Sequence, residues 1–226
     1  MSTESVATSL AGRLRAETAE AHARAERHAL QARMVRGAAT RAEYAGWLVQ
    51  LERVWRAIDG ALVELARRDA GVGAMVKPYH AHGERVRADL AHLRGMGVDP
   101  TPSQPVGAAE RLAGWIEAAG RSGDVAVLGA WYVLEGSANG GQYIARALGP
   151  ALGLPGPEGL RSLDPHGPEQ RPRWQAWREA LDVQAFSDEE RARIIEAARR
   201  TFEAIEGVMN EMTAGAMAAT GPAARG

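Results

Sequence analysis

The chain has 226 residues, a formal net charge of −1 and no cysteine, which suits one domain with a sizeable core and excludes disulfides, thiolate catalysis and Cys-ligated metals. Near-neutral charge supplies no general attraction to nucleic acid or to an anionic membrane surface, so neither is expected as a partner. No run approaches 18 uninterrupted apolar residues and the N-terminus MSTESVATSLAGRLRAE lacks an apolar signal core, so the expectation is a soluble, cytoplasmic protein.

Alanine, arginine, glutamate and leucine dominate and alternating β-branched runs are scarce, which predicts an all-α fold. A first helix is expected from Thr8 to Ala32, with small or apolar positions Leu10, Leu14, Thr18, Ala21, Ala25 and Ala29 at helical spacing. In TRAE, Thr40 and Glu43 form a capping box. Behind it, Tyr44, Trp47, Leu48, Leu51, Val54, Trp55, Ile58, Leu62 and Leu65 make a continuous helical stripe. GVGAMVKPYH reads as a break, His82 to Arg94 as a shorter helix and GMGVDPTPSQPVG as a loop. Another helix is expected from Ala108 to Ala119, ending at Gly120, then a long one from Asp124 to Leu148. A Pro/Gly-rich connection leads to a helix starting near Pro172 and a last helix opened by the capping box SDEE at Ser187. The prediction is a single domain over residues 1–226 with about eight helices and flexible tails at 1–8 and 214–226.

Two features stand apart from this scaffold. His22 falls on the face of the first helix that carries Leu14, Thr18 and Ala25, so it is either a core histidine or a metal or heme ligand. His80 and His82 read as a solvated pair, His92 and His166 have no partner at ligand spacing, and no E-x-x-H motif falls on an apolar face. The second feature is YVLEGSANGGQ, residues 132–142, where Gly136, Gly140 and Gly141 sit inside a helix at a cost of about 1 kcal/mol each relative to alanine. Gly136 and Gly140 share a face, so either another helix packs closely there or a flat ligand lies against bare backbone, with a local kink freeing amide groups. An inward histidine and a glycine-bearing helix together suggest heme clamped between two helices.

The sequence resembles heme oxygenases, in particular the bacterial branch associated with phytochrome photoreceptors. The resemblance is carried by LRAETAEAHARAE, which is similar to the family's proximal helix, by YVLEGSANGGQ, similar to the distal helix, and by ERARIIEAARRTFEAIEGVMNEM at the final helix. It implies a multihelical bundle holding heme between a proximal and a kinked distal helix, with His22 as axial ligand of the iron. Gly136, Gly140 and Gly141 correspond to the distal glycines, and a freed N–H of Gly140 or Gly141 is the implied donor toward dioxygen. Arg15 and Arg178 match positions that pair with heme propionates, Glu26 would orient His22, and Trp55 stands where many members place a distal tyrosine. Ser137 replaces the aspartate that many members carry after the first distal glycine. The implied reaction is cleavage of heme by dioxygen to biliverdin, carbon monoxide and ferrous iron. Electrons would come from an external donor, a ferredoxin or similar reductase, and a bacteriophytochrome is the implied acceptor of biliverdin. Ser137 keeps open a heme-binding storage, transfer or sensing protein. A cofactor-free or di-iron relative would need a nucleophilic cysteine or a carboxylate cluster, and the sequence displays neither.

Overall fold

The computed structural model describes residues 9–219, with side chains as far as Gly215. Among them are nine α-helices and no strand, in keeping with the predicted all-α class. Helix α1 spans Leu10–Arg27, capped by Ser9, whose Oγ accepts from the Gly12 N–H. The expected single helix to Ala32 is interrupted at His28, where the backbone turns extended and the ring Nδ1 accepts from the Leu30 N–H, capping α2 (Ala29–Val35). A histidine acting as a cap ends one helix and begins the next, which spacing alone does not reveal.

Helix α3 (Arg41–Arg68) begins with the expected capping box: Thr40 Oγ1 accepts from the Glu43 N–H and Glu43 Oε2 accepts from the Thr40 N–H. Its stripe from Tyr44 to Leu65 is buried except at Leu51, which is partly covered. α3 is the central post, packed by α4 (Ala70–Met75), α5 (Gly83–Gly95) and α6 (Gly107–Ser122). Gly120 does not end α6; it lies inside the helix, where a Cβ would stand 2.6 Å from that of Ala61, and Gly123 terminates the helix in the left-handed region. The expected break before α5 contains α4 and a short 3-10 turn, Pro78–His80.

Helix α7 (Val127–Leu152) carries the glycine segment, and α8 (Gln170–Asp182) and α9 (Asp188–Ala219) complete the bundle. α9 opens with the expected Ser187–Glu190 box and packs along α1, α6 and α7. Gly129 lets α7 and α9 touch: a side chain there would strike the Ile194 carbonyl. Residues 214–219, expected in a flexible tail, continue α9 as helix. The remaining tail expectations, at 1–8 and 220–226, and the expected start at Thr8 lie outside the described residues. Among the described residues no helix is long and apolar enough to cross a membrane.

Candidate functional site

A cavity of about 680 Å³ opens between α1 and α9 on one side and α7 on the other, with α8 at its edge. Its size falls within the roughly 300–1,000 Å³ of small-molecule sites. His22 borders it from α1 with 54% of its side chain open, rather than being enclosed in the core. The Phe202 ring, from α9, stands perpendicular to the His22 ring at a centroid distance of 5.4 Å. The Glu26 carboxylate lies 3.6 Å from His22 Nδ1, one turn along the same helix. That distance exceeds a hydrogen bond, so the contact is electrostatic; it occupies the Nδ1 side and leaves Nε2 for a ligand.

Facing His22, α7 presents Gly136, Ser137, Asn139 and Gly140 to the cavity. A Cβ on Gly140 would have no atom within 4 Å, so this glycine leaves open space, whereas one on Gly136 would come within 3.2 Å of the Trp174 indole. Gly141 departs from the expectation: it does not line the cavity, and a side chain there would strike the Leu163 carbonyl behind α7. One residue of offset turns the helix by about 100° and separates the two roles. α7 also stays helical through all three glycines. The expected interruption that would free the Gly140 or Gly141 N–H is therefore not found.

Two side chains tie carbonyls inside the glycine turns. Ser137 Oγ donates to the Leu134 carbonyl at 2.6 Å and Asn139 Nδ2 to that of Gly136 at 2.9 Å. The Ser137 proton is thus engaged, and its oxygen faces the site as an acceptor.

Arg15 and Arg178 both border the cavity. Arg15 is exposed and makes no hydrogen bond or ion pair with another described residue, and Arg178 Nε is buried without a partner. Burial raises the Tyr132 phenol above its ordinary value, while the positive charges of Arg178 and Arg15 pull the other way, so both guanidiniums act on one end of the cavity. Tyr132 and Trp174 join the lining although their positions carried no site signal in the sequence. Trp55 is not part of it: the residue is buried away from the cavity, its ring 4.3 Å from that of His82.

The histidines contradict their sequence reading most sharply. His80 and His82 are not solvated but 3% and 2% exposed, and His166 is 6% exposed. His82 Nε2 and His166 Nε2 lie 2.9 and 3.0 Å from the two carboxylate oxygens of Glu135, itself 2% exposed. This His–Glu–His cluster joins residues from three distant segments, which no local motif marks. Burial alone would push the Glu135 carboxyl up, but donation from His166 and His82 outweighs it and holds it down at about 2. His80 is lowered to about 4, chiefly by burial.

The residues fit heme. An imidazole stands on one wall of a mainly apolar slot, helix backbone bare of a side chain at Gly140 forms the other, and at the edge a half-buried arginine over the Trp174 ring keeps a buried Nε without a hydrogen-bond partner. Residues 8–211 match the sequence model of the family described as heme oxygenase. The fold is similar to that of heme oxygenase from Leptospira interrogans, at 24% identity and TM-score 0.80, covering 90% of this chain and all of the other. It is also similar to heme oxygenase-2 from Synechocystis, a complex with heme and NO, at 23% identity and TM-score 0.81, covering 95% and 89%. A third similar structure, heme oxygenase-1 of the same cyanobacterium with heme, has 18% identity and TM-score 0.78 over 95% and 96%. No curated protein sequence matches the chain significantly.

Proposed function

The chain belongs to the heme oxygenase family, a family of oxidoreductases, and from that premise we propose that it cleaves heme to biliverdin, carbon monoxide and ferrous iron. The observation that carries the reading is the placement of His22 on one side of a cavity and the bare Gly140 position on the other. When bound, heme supplies both the ring to be cleaved and the iron that activates dioxygen.

The chain's own residues do the rest. His22 offers Nε2 to the iron, with Glu26 beside Nδ1 and Phe202 perpendicular to the ring. A neutral imidazole is the proposed ligand; the chain has no thiolate to offer in its place. Arg15 and Arg178 take the propionates and fix the rotation of the ring within the slot, Arg178 through an Nε that has no other partner. Gly136 and Gly140 would leave room for the ring beside α7, and the α7 backbone would limit access to it from that side. Ser137, whose proton is given to Leu134, accepts a hydrogen bond from water on the distal side rather than donating one. Electrons come from an external donor, for which we propose a ferredoxin or similar reductase. The proposed setting is the cytoplasm, which the cysteine-free composition suits, and the proposed acceptor of biliverdin is a bacteriophytochrome, on the strength of YVLEGSANGGQ.

Ser137 also favours a second reading, heme storage, transfer or sensing without turnover, because a hydroxyl holds no charge with which to organise proton delivery. Hemin titration tests the first step: wild-type protein should give a histidine-ligated Soret band that His22→Ala loses. An unchanged spectrum in the variant overturns the ligand assignment. Turnover with ferredoxin, its reductase and catalase should then produce the biliverdin absorbance; stable bound heme under those conditions selects the storage reading.

A further inference from the structure

The glycine turns of α7 present no side chain of their own to the cavity at Gly136 and Gly140, so their depth depends on what lies behind them. Immediately before Gly136 stands Glu135, absent from the cavity lining and buried. Its Oε2 meets His82 Nε2 and its Oε1 meets His166 Nε2, residues 53 and 31 positions away. His82 is itself anchored to α3: its N–H and that of Gly83 donate to Asp59, and its ring lies against Trp55. His166 belongs to the connection between α7 and α8, whose Leu163 carbonyl abuts Gly141. A single carboxylate thus joins α7, α3 and the segment behind the glycines.

The same atoms resemble a two-histidine, one-carboxylate cation site, their ligand atoms lying within 4.8 Å of one another. The surroundings oppose a cation. Arg173 approaches His166 Nδ1 at 3.1 Å and Arg85 approaches His82 Nδ1 at 3.5 Å. Arginine only donates, so His166 Nδ1 accepts, and an ionised Glu135 only accepts, so each Nε2 carries the proton given to it. A metal on His166 Nε2 would require the proton on Nδ1, facing the Arg173 guanidinium, and would bring its own charge beside the Arg173 and Arg85 guanidiniums already there.

We propose that Glu135 is a positioning residue: held by His82 and His166, its carboxylate sets the depth at which the Gly136–Gly141 turns stand against heme, and through them the edge of the ring that is oxidised. This rests on the heme oxygenase reading. The test compares wild type with Glu135→Gln, nearly the same shape but unable to accept from both imidazoles in their present tautomers. In the heme-free full-length protein, amide exchange in residues 136–142 should accelerate about tenfold while the α3 core is unchanged. The variant should keep the histidine-ligated hemin spectrum yet change the ratio of biliverdin isomers. Unchanged exchange in 136–142, equal acceleration in every helix, or an unchanged isomer ratio overturns the proposal. So does a divalent metal retained at one per wild-type chain and lost from the variant. Should Glu135→Gln fail to fold, His166→Gln, which keeps the His82 arm, carries the same expectations and the same refutations. Absence of hemin binding by wild-type protein would instead refute the heme reading, while the exchange result would still report on the clamp.

Discussion

Replacing Gly140 by alanine adds one methyl group to α7 at a point where the new Cβ has no atom within 4 Å. Nothing in the protein resists it, and the exchange removes a glycine from a helix interior, a gain of about 1 kcal/mol. For a chain of this size the heme-free variant should melt about 2–4 °C above wild type. The same methyl stands in the slot proposed for the porphyrin, where overpacking costs about 1–3 kcal/mol. Hemin should therefore bind about 5- to 150-fold more weakly, and biliverdin formation should fall with it. Gly141→Ala is the counterpart: its methyl meets the Leu163 carbonyl oxygen and stands 3.0 Å from the carbonyl carbon. Its heme-free melting temperature should fall, because rigid backbone cannot give way as a flexible side chain would. Differential scanning calorimetry of both heme-free variants and hemin titration of Gly140→Ala decide the matter. A Gly140→Ala protein less stable than wild type, or one that binds and cleaves heme unaltered, would refute the assignment of that face to the ligand.

Arg178→Gln should leave the heme-free melting temperature within about 2 °C of wild type, because the lost Nε has no protein partner. It should weaken hemin binding by about 10- to 100-fold, the range for a hydrogen bond to a charged group; equal affinity would remove Arg178 from the propionate role. Acid stability should fall in two stages. His80 is held at about 4 against an ordinary 6.5, so the unfolded chain binds the extra proton and stability declines as pH falls from about 6.5 to 4. Glu135, held at about 2 against 4.5, contributes stability that is complete above about 4.5 and is lost as pH falls toward 2. Denaturant titrations from pH 7 to 3 should show His80→Gln flattening the first stage and Glu135→Gln the second; parallel curves for all three proteins would refute both.

The fold was open to reading where its signals were local. The Thr40 and Ser187 capping boxes and the α3 stripe depend on residues within a few positions of one another, and each stands where its spacing puts it. The interruption at His28 was hidden because a histidine rarely serves as a cap and the apolar spacing runs on past it. Gly136 and Gly140 could be placed on one face by counting, but Gly141 needed the partner at Leu163 to show that it serves helix packing instead. Trp55 illustrates the limit of alignment by position: it lies on the buried stripe, yet the ring it meets belongs to His82, not to the cavity. The association of His82, Glu135 and His166 carried no signal, because it is made by three segments whose separation along the chain erases any motif. His80 and His82 looked solvated because they flank one residue in a loop-like stretch, and His166 showed no partner because its partners lie far from it along the chain.

The proximal wall of the cavity is built from the two ends of the described chain. His22 on α1 meets Phe202 on α9, and the two helices are joined by Arg24–Glu206 and Arg199–Glu17 pairs spanning 182 positions each. A nascent chain would therefore expose the imidazole proposed to bind iron early, but could not complete the proposed heme pocket until α9 had left the ribosome. On the proposed reading loading is in this way deferred until α9 is in place, and any product of premature termination before α9 would carry the histidine without the pocket.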